Sequence, residues 1–203
     1  MEHSYQILDE QQAYRGFFKI NRYQLQHSSY EGGDCPPIVR ERLEGLGVTS
    51  VLLFDPVLDE VVLVEQFRIG LAGLVSPPWC LETVSGYCDK EHESPADVAK
   101  REAIEESGCE IKAMKLIGEF YVSPGISVEK LSLYVACVDA SKAMGIHGLE
   151  EEGEEIKVIR MPWEQAEQEM FKTLNSTSIV VAMQWMQMNR EKLIDEWRPL
   201  ILD

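Results

Sequence analysis

The chain has 203 residues, with 35 Asp and Glu against 19 Lys and Arg, a formal net charge of −16, and 45% apolar residues. Length and apolar content fit one full-sized domain with a buried core and a small appended segment. The acid excess excludes a nucleic-acid platform or an anionic membrane surface as bulk electrostatic partner, since both need clustered Lys and Arg; an anionic substrate remains open if divalent cations bridge it to carboxylates.

The opening stretch, MEHSYQILDEQQAYRG, has no basic flank followed by an apolar core, so it does not read as a secretion signal. No run approaches the ~18 apolar residues of a membrane span. Cys35, Cys80, Cys88, Cys109 and Cys137 form no C-x-x-C pair and read as buried reduced thiols, which makes a cytoplasmic protein the expectation. Phe17 to His27 is rich in aromatic and β-branched residues, and Ile38 to Leu43 can pair with it before a break at Gly45 and Gly47. Residues 1–47 are therefore expected to form a β segment too small to fold alone.

From Val48 the strand signals become dense. VTSVLLF (48–54) and EVVLVEQF (60–67) flank a turn at Asp55 to Asp59 and read as a hairpin, and LETVSG (81–86) reads as one further strand. The clearest helix start follows: Ser94 as N-cap, Pro95 at the first helical position, Asp97 at the third, with Gly108 as the stop. Strands are expected over 114–122, 131–138 and 155–161, then helices over about Trp163 to Lys172 and Thr177 to Leu193. This order predicts an α+β fold, a mixed β-sheet sandwiched between helices, for residues 48–203.

The helix after Ser94 carries an arrangement that local physics disfavours. Ala96, Ala99 and Ala103 make a narrow small-residue face, and Glu102, Glu105 and Glu106 gather beside it. Glu102 and Glu106 stand at i and i+4, where like charges repel by ~0.2 to 0.5 kcal/mol. Glu105 and Glu106 also occupy the last turn, where the helix dipole disfavours anions by roughly 0.3 to 1 kcal/mol. A solvated acidic face is the ordinary explanation of such a run; a hard divalent cation, which takes carboxylate oxygens and keeps waters for phosphates, would offset all three penalties together.

Gly86 to Cys109, GYCDKEHESPADVAKREAIEESGC, resembles the signature of the Nudix hydrolases, G-x5-E-x7-R-E-U-x-E-E-x-G-U with U apolar. Glu93, Arg101, Glu102, Ala103, Glu105, Glu106, Gly108 and Cys109 fall on its positions. The chain departs from it once, with six residues rather than five between Gly86 and Glu93, so a wider loop with the helix ligands intact is expected. The resemblance implies the Nudix fold. It also implies a Mg²⁺ ion, with Mn²⁺ as substitute, held by Glu102, Glu106 and the Ser85 carbonyl, with Arg101 orienting Glu93 or Glu105.

More of the chain resembles the ADP-ribose pyrophosphatase branch: YRGFFKINRYQLQH, EQFRIG (65–70), PPWCLETVSG (77–86), YVSPGISVEK (121–130) and GIHGLEEEGEEIKV (145–158), with Pro124 sixteen residues after Gly108. This likeness implies hydrolysis of ADP-ribose to AMP and ribose 5-phosphate by a homodimer that swaps the N-terminal β segment. It implies substrate contacts at Arg40, Glu41 and Arg68, Glu82 on the strand leading to the metal, and Glu129 near the terminal ribose. Phe17, Phe18, Tyr23 and Trp79 are candidates to stack an adenine, or else core or interface residues. The acidic run Glu150, Glu151, Glu152, Glu154, Glu155 reads by composition as a solvated loop. By resemblance it is a mobile catalytic loop, with Glu154 a metal ligand and Glu152 the general base, Glu105 and Glu151 being alternatives; His147 beside it reads as structural. Two other outcomes stay open: a preference for another nucleoside diphosphate sugar, such as ADP-glucose or GDP-mannose, and a non-catalytic ADP-ribose-binding module.

Overall fold

The computed structural model describes residues 3–202. They fall into two compact units, one made by the chain up to Gly47 with Tyr121–Lys130, the other by Val48–Phe120 with the chain from Leu131 on. In the first unit β1 (Tyr5–Arg15), β2 (Lys19–His27) and β3 (Ile38–Glu44) form an antiparallel meander. β1 lies within the expected β segment, but no local pattern in the sequence marks it as a strand. All eleven of its residues are exposed, so it carries no alternation of buried and solvent-facing positions to detect. Tyr121–Lys130 joins this unit through the edge of β3: Leu43 N–H donates to the Ile126 carbonyl (2.8 Å) and Val128 N–H to that of Leu43 (3.2 Å).

A polar network centred on buried Tyr23 ties the three strands together. The Tyr23 hydroxyl lies 2.6 Å from Glu44 and 3.0 Å from Glu10, and accepts from Arg42 Nη2 at 2.7 Å. Burial would raise the Glu44 carboxyl, but its hydrogen bonds with Arg42 and Tyr23 outweigh that and hold it below the usual range. Tyr23 is thus not an adenine platform: it is buried, with the Arg42 guanidinium 4.5 Å above its ring.

The second unit contains β4 (Val48–Asp55), β5 (Glu60–Phe67), β6 (Trp79–Glu82), β7 (Val84–Tyr87), α1 (Pro95–Ser107), β8 (Ala113–Tyr121), β9 (Lys130–Cys137), β10 (Ile146–His147), β11 (Ile156–Pro162), α2 (Trp163–Glu169), α3 (Thr177–Trp197) and α4 (Pro199–Leu202). Its mixed sheet runs β10-β11-β5-β4-β9-β8, with β4 parallel to β9. Both faces are covered. Leu52, Phe54, Val61 and Leu63 pack with residues of α2 and α3 such as Trp163, Met183 and Trp197. The alternate residues Val51, Leu53, Val62 and Val64 pack with Ala99 and Ala103 of α1. Near-continuous apolar runs are what a strand buried on both faces requires, so the expected α/β/α sandwich is the observed one.

The stretch expected as one strand over 81–86 is two. β4 and β5 pair with each other only next to their hairpin, Leu53–Asp55 against Val62–Glu60. Beyond that, β6 pairs with Val64–Phe67 of β5 and β7 with Val48–Val51 of β4. The 79–87 segment therefore changes partner at buried Thr83, whose hydroxyl lies 2.5 Å from Ser50 Oγ. This fork points β7 at α1. Among the described residues, no helix is long and apolar enough to cross a membrane.

Candidate active site

α1 carries the acidic residues, and its ends are fixed locally. Ser94 Oγ accepts from Asp97 N–H (3.2 Å) while the Asp97 carboxylate accepts from Ser94 N–H (3.3 Å), a full capping box. At the other end Gly108 adopts the left-handed conformation (φ 68°) and donates to the Ile104 carbonyl. The extra residue between Gly86 and Glu93 is absorbed in the preceding loop, where His92 takes a positive φ of 71°. Glu93 still reaches its partner: Arg101 Nε and Nη2 meet its two oxygens at 3.0 and 3.2 Å. Arg101 Nη1 donates to Glu102 and to Glu105, both at 2.8 Å. One guanidinium thus fixes three carboxylates, as its planar five-donor fork allows, and it holds Glu93 below the usual carboxylate range.

Glu106 lies deeper, only 2% exposed, and its Oε2 accepts the Ser85 N–H of β7 at 3.1 Å. Burial, opposed in part by that bond and reinforced by Glu102 and Glu154, pushes its carboxyl up to about 8. Burial likewise raises Glu102 to about 7, with Glu105 and Glu154 adding to the rise and Arg101 opposing it. Gly86 is shaped to this group, because a Cβ there would overlap the Glu102 carboxylate. Glu154 therefore belongs electrostatically with Glu102 and Glu106. Its Oε2 also lies 3.4 Å from Leu149 N–H. Arg68 Nε donates to Glu82 Oε2 at 2.6 Å, and the Arg68 charge favours the ionised form of Glu106.

The second unit thus gathers Ser85, Arg101, Glu102, Glu105, Glu106, Glu154 and Arg68 around one end of α1. Glu152 is exposed on a single 3₁₀ turn, Glu150–Glu152, and its N–H bonds the Leu149 carbonyl. Arg40 and Glu41 are exposed on β3 of the first unit, Arg40 Nη1 bonding its own neighbour's carbonyl at Val39 (2.8 Å). Glu129 also lies in that unit, its N–H on Ser127 Oγ (3.0 Å). The Gly86 contact and the Arg68–Glu82 pair have no signature in the sequence beyond the glycine's place as the motif's first residue.

Among the described residues, no three carboxylates, imidazoles or thiols converge tightly enough to hold an ion by themselves. The groups that interact here nevertheless offer hard oxygens, the carboxylates of buried Glu106 and half-buried Glu102 and Glu154. Mg²⁺ fits such a set because it completes its shell with waters and substrate oxygens.

A Nudix domain family model matches residues 45–182. The chain is 43% identical over 194 residues to the ADP-ribose pyrophosphatase of Escherichia coli (strain K12), covering 95% of this chain and 92% of that protein. It is 40% identical to the ADP-ribose pyrophosphatase of Haemophilus influenzae, over 95% of this chain and 90% of the other. Against the GDP-mannose pyrophosphatase of Enterobacter sp. (strain 638) the identity is 32%, over 75% and 81%. A solved structure, an ADP compounds hydrolase, superposes with a TM-score of 0.68 at 18% identity, covering 91% of this chain and 95% of that one.

Proposed function

Since this chain belongs to the Nudix hydrolases, we propose that it hydrolyses the diphosphate of ADP-ribose, giving AMP and ribose 5-phosphate. The observation that carries the substrate is the extent of likeness: 43% identity across 95% of the chain to an ADP-ribose pyrophosphatase, against 32% across 75% to a GDP-mannose pyrophosphatase. Nudix hydrolases in general use divalent metal ions, and we read the ion here as Mg²⁺, with Mn²⁺ able to replace it. Bound, such an ion neutralises the diphosphate and lowers the pKa of a water.

The chain's own groups do the rest. Glu102, Glu106, Glu154 and the Ser85 carbonyl would hold the ion. Arg101 keeps Glu102 and Glu105 from turning away, and Glu93 anchors Arg101 in turn. Arg68, steadied by Glu82, meets the anionic substrate; by the resemblance Arg40, Glu41 and Glu129 are further substrate contacts. Glu152 takes the proton of the attacking water, and Glu105 is the alternative base. An exposed carboxylate on a short turn suits a base engaged only after the substrate has bound. The water oxygen adds to one phosphorus as that atom's bond to the bridging oxygen breaks, leaving two monophosphates.

We read residues 1–47 as a segment exchanged between two copies in a cytoplasmic homodimer acting on a small nucleotide. Exposed Tyr5, Ile7, Leu8, Tyr14 and Phe17 support that reading, and light scattering tests it, a monomer counting against it. For activity, release of the nucleoside monophosphate, AMP from ADP-ribose, ADP-glucose and NADH and GMP from GDP-mannose, is measured with Mg²⁺ in parallel. ADP-ribose should give the highest kcat/KM, and Glu106→Gln should lose most of it. A higher value on GDP-mannose would favour the second pyrophosphatase reading, and tight ADP-ribose binding without turnover a non-catalytic module.

A further inference from the structure

The stretch Gly145 to Gly148 lies outside the catalytic assignments above, yet it joins the acidic loop to α1. Gly148 N–H donates to the carbonyl of Glu105 at 3.2 Å, so the loop is tied to the last turn of the helix that carries Glu102 and Glu106. Beside it the His147 ring lies over Gly108: a Cβ on that glycine would stand 3.0 Å from His147 Cε1. His147 Nε2 lies 3.0 Å from the Met144 carbonyl, which fixes the ring. The loop then closes on itself. Glu154 N–H donates to the Leu149 carbonyl at 3.2 Å, and Gly148 faces Glu154 directly. A Cβ at Gly148 would come 2.8 Å from Glu154 Cβ, 3.1 Å from its carbonyl oxygen and 3.2 Å from its carbonyl carbon. Two of those three atoms are backbone, so a rotamer change cannot relieve the overlap.

We propose that Gly148 is a positioning residue for Glu154: docked on α1 through its N–H and the neighbouring His147 ring, it keeps the Glu154 carboxylate near Glu102 and Glu106, and a Cβ at this position displaces it. The inference rests on Glu154 being a metal ligand, as read above. The structure supplies its own control. Gly145 has nearly the same positive φ, 97° against 99° for Gly148, but a Cβ at Gly145 meets nothing within 4 Å. Alanine at either position incurs comparable backbone strain; only at Gly148 does it displace Glu154.

The test is titration of Mn²⁺ into the full-length protein without substrate, with free ion followed by electron paramagnetic resonance, alongside Mg²⁺-dependent turnover. Gly148→Ala should weaken Mn²⁺ binding by about tenfold or more, the range seen when groups supporting a metal ligand are removed. Gly145→Ala should change it by less than about threefold. In a Glu154→Gln background, Gly148→Ala should add almost nothing, because it acts through that carboxylate. If Gly148→Ala fails to fold by circular dichroism, His147→Ala decides. It loosens the same dock without backbone strain and should weaken Mn²⁺ binding only while Glu154 is present. Equal effects at Gly145 and Gly148, or full additivity with Glu154→Gln, would overturn the positioning role while leaving Glu154 as a ligand. Unchanged Mn²⁺ binding in Glu154→Gln alone would instead remove the ligand reading, and this inference with it.

Discussion

Glu106→Gln should make the metal-free protein more stable at alkaline pH, although it removes a residue central to the site. Glu106 is 2% exposed and its carboxyl is raised from an ordinary 4.5 to about 8. A group whose pKa is higher in the folded state holds its proton there while the unfolded chain gives it up. Its favourable contribution is therefore complete below about pH 4.5 and is lost as the pH climbs through 8. At about 1.36 kcal/mol per pH unit, this one residue costs the apo protein roughly 4 kcal/mol at pH 8 and under about 1 kcal/mol at pH 5. Glutamine keeps an oxygen for the Ser85 N–H and has no proton to lose.

Thermal unfolding in EDTA should accordingly show Glu106→Gln close to wild type at pH 5. At pH 8 it should melt higher by on the order of 10 °C, using ~2 to 4 °C per kcal/mol for a chain of this size. Adding Mg²⁺ should reverse the order if Glu106 is a ligand as proposed, since an ion that binds only the folded state stabilises by about 2.7 kcal/mol at a hundred times its Kd. Equal melting temperatures at pH 8 in EDTA would refute the claim that Glu106 is a strained carboxylate awaiting a cation.

The same geometry sets three further expectations. Arg101→Lys keeps the charge but cannot span Glu93, Glu102 and Glu105 together; steady-state kinetics should show kcat down by about 10 to 100-fold with KM for substrate little changed. Gly86→Ala should push the Glu102 carboxylate aside, raising the Mg²⁺ concentration for half-maximal turnover by about tenfold or more, with circular dichroism unchanged. Ser94→Ala removes the hydroxyl that caps α1 and should lower stability by ~1 kcal/mol in urea unfolding.

Legibility in the sequence follows the range over which each interaction acts. α1 was readable to the residue because its determinants are local: the Ser94 and Asp97 box, Pro95, Gly108 and the i, i+4 spacing of Glu102 and Glu106 all lie within fifteen positions. β4 and β5 were readable because strands buried on both faces must be continuously apolar. β1 was not, since an exposed strand whose partner is set by pairing carries no pattern of its own. The change of partner at Thr83 was hidden for the same reason: residues 79–87 are extended throughout, and only the register against β4 and β5 divides them.

The two acidic clusters show where composition stops and geometry begins. Eight of the chain's 35 acidic residues lie in them, Glu102, Glu105 and Glu106 on α1 and five more over 150–155. In the sequence the first stands at helical spacing within a family signature, while the second is by composition only a charged loop. In the structure Glu150, Glu151, Glu152 and Glu155 are exposed, while Glu154 alone is half-buried and raises the carboxyls of Glu102 and Glu106. Four solvated charges cost little, because water screens them. Glu106, buried beside Glu102, costs several kcal/mol while it stays ionised without a cation, by the burial that lifts it to about 8. The functional part of a net charge of −16 is thus set by which few carboxylates the backbone forces out of water, and in this loop a glycine without a Cβ makes that selection.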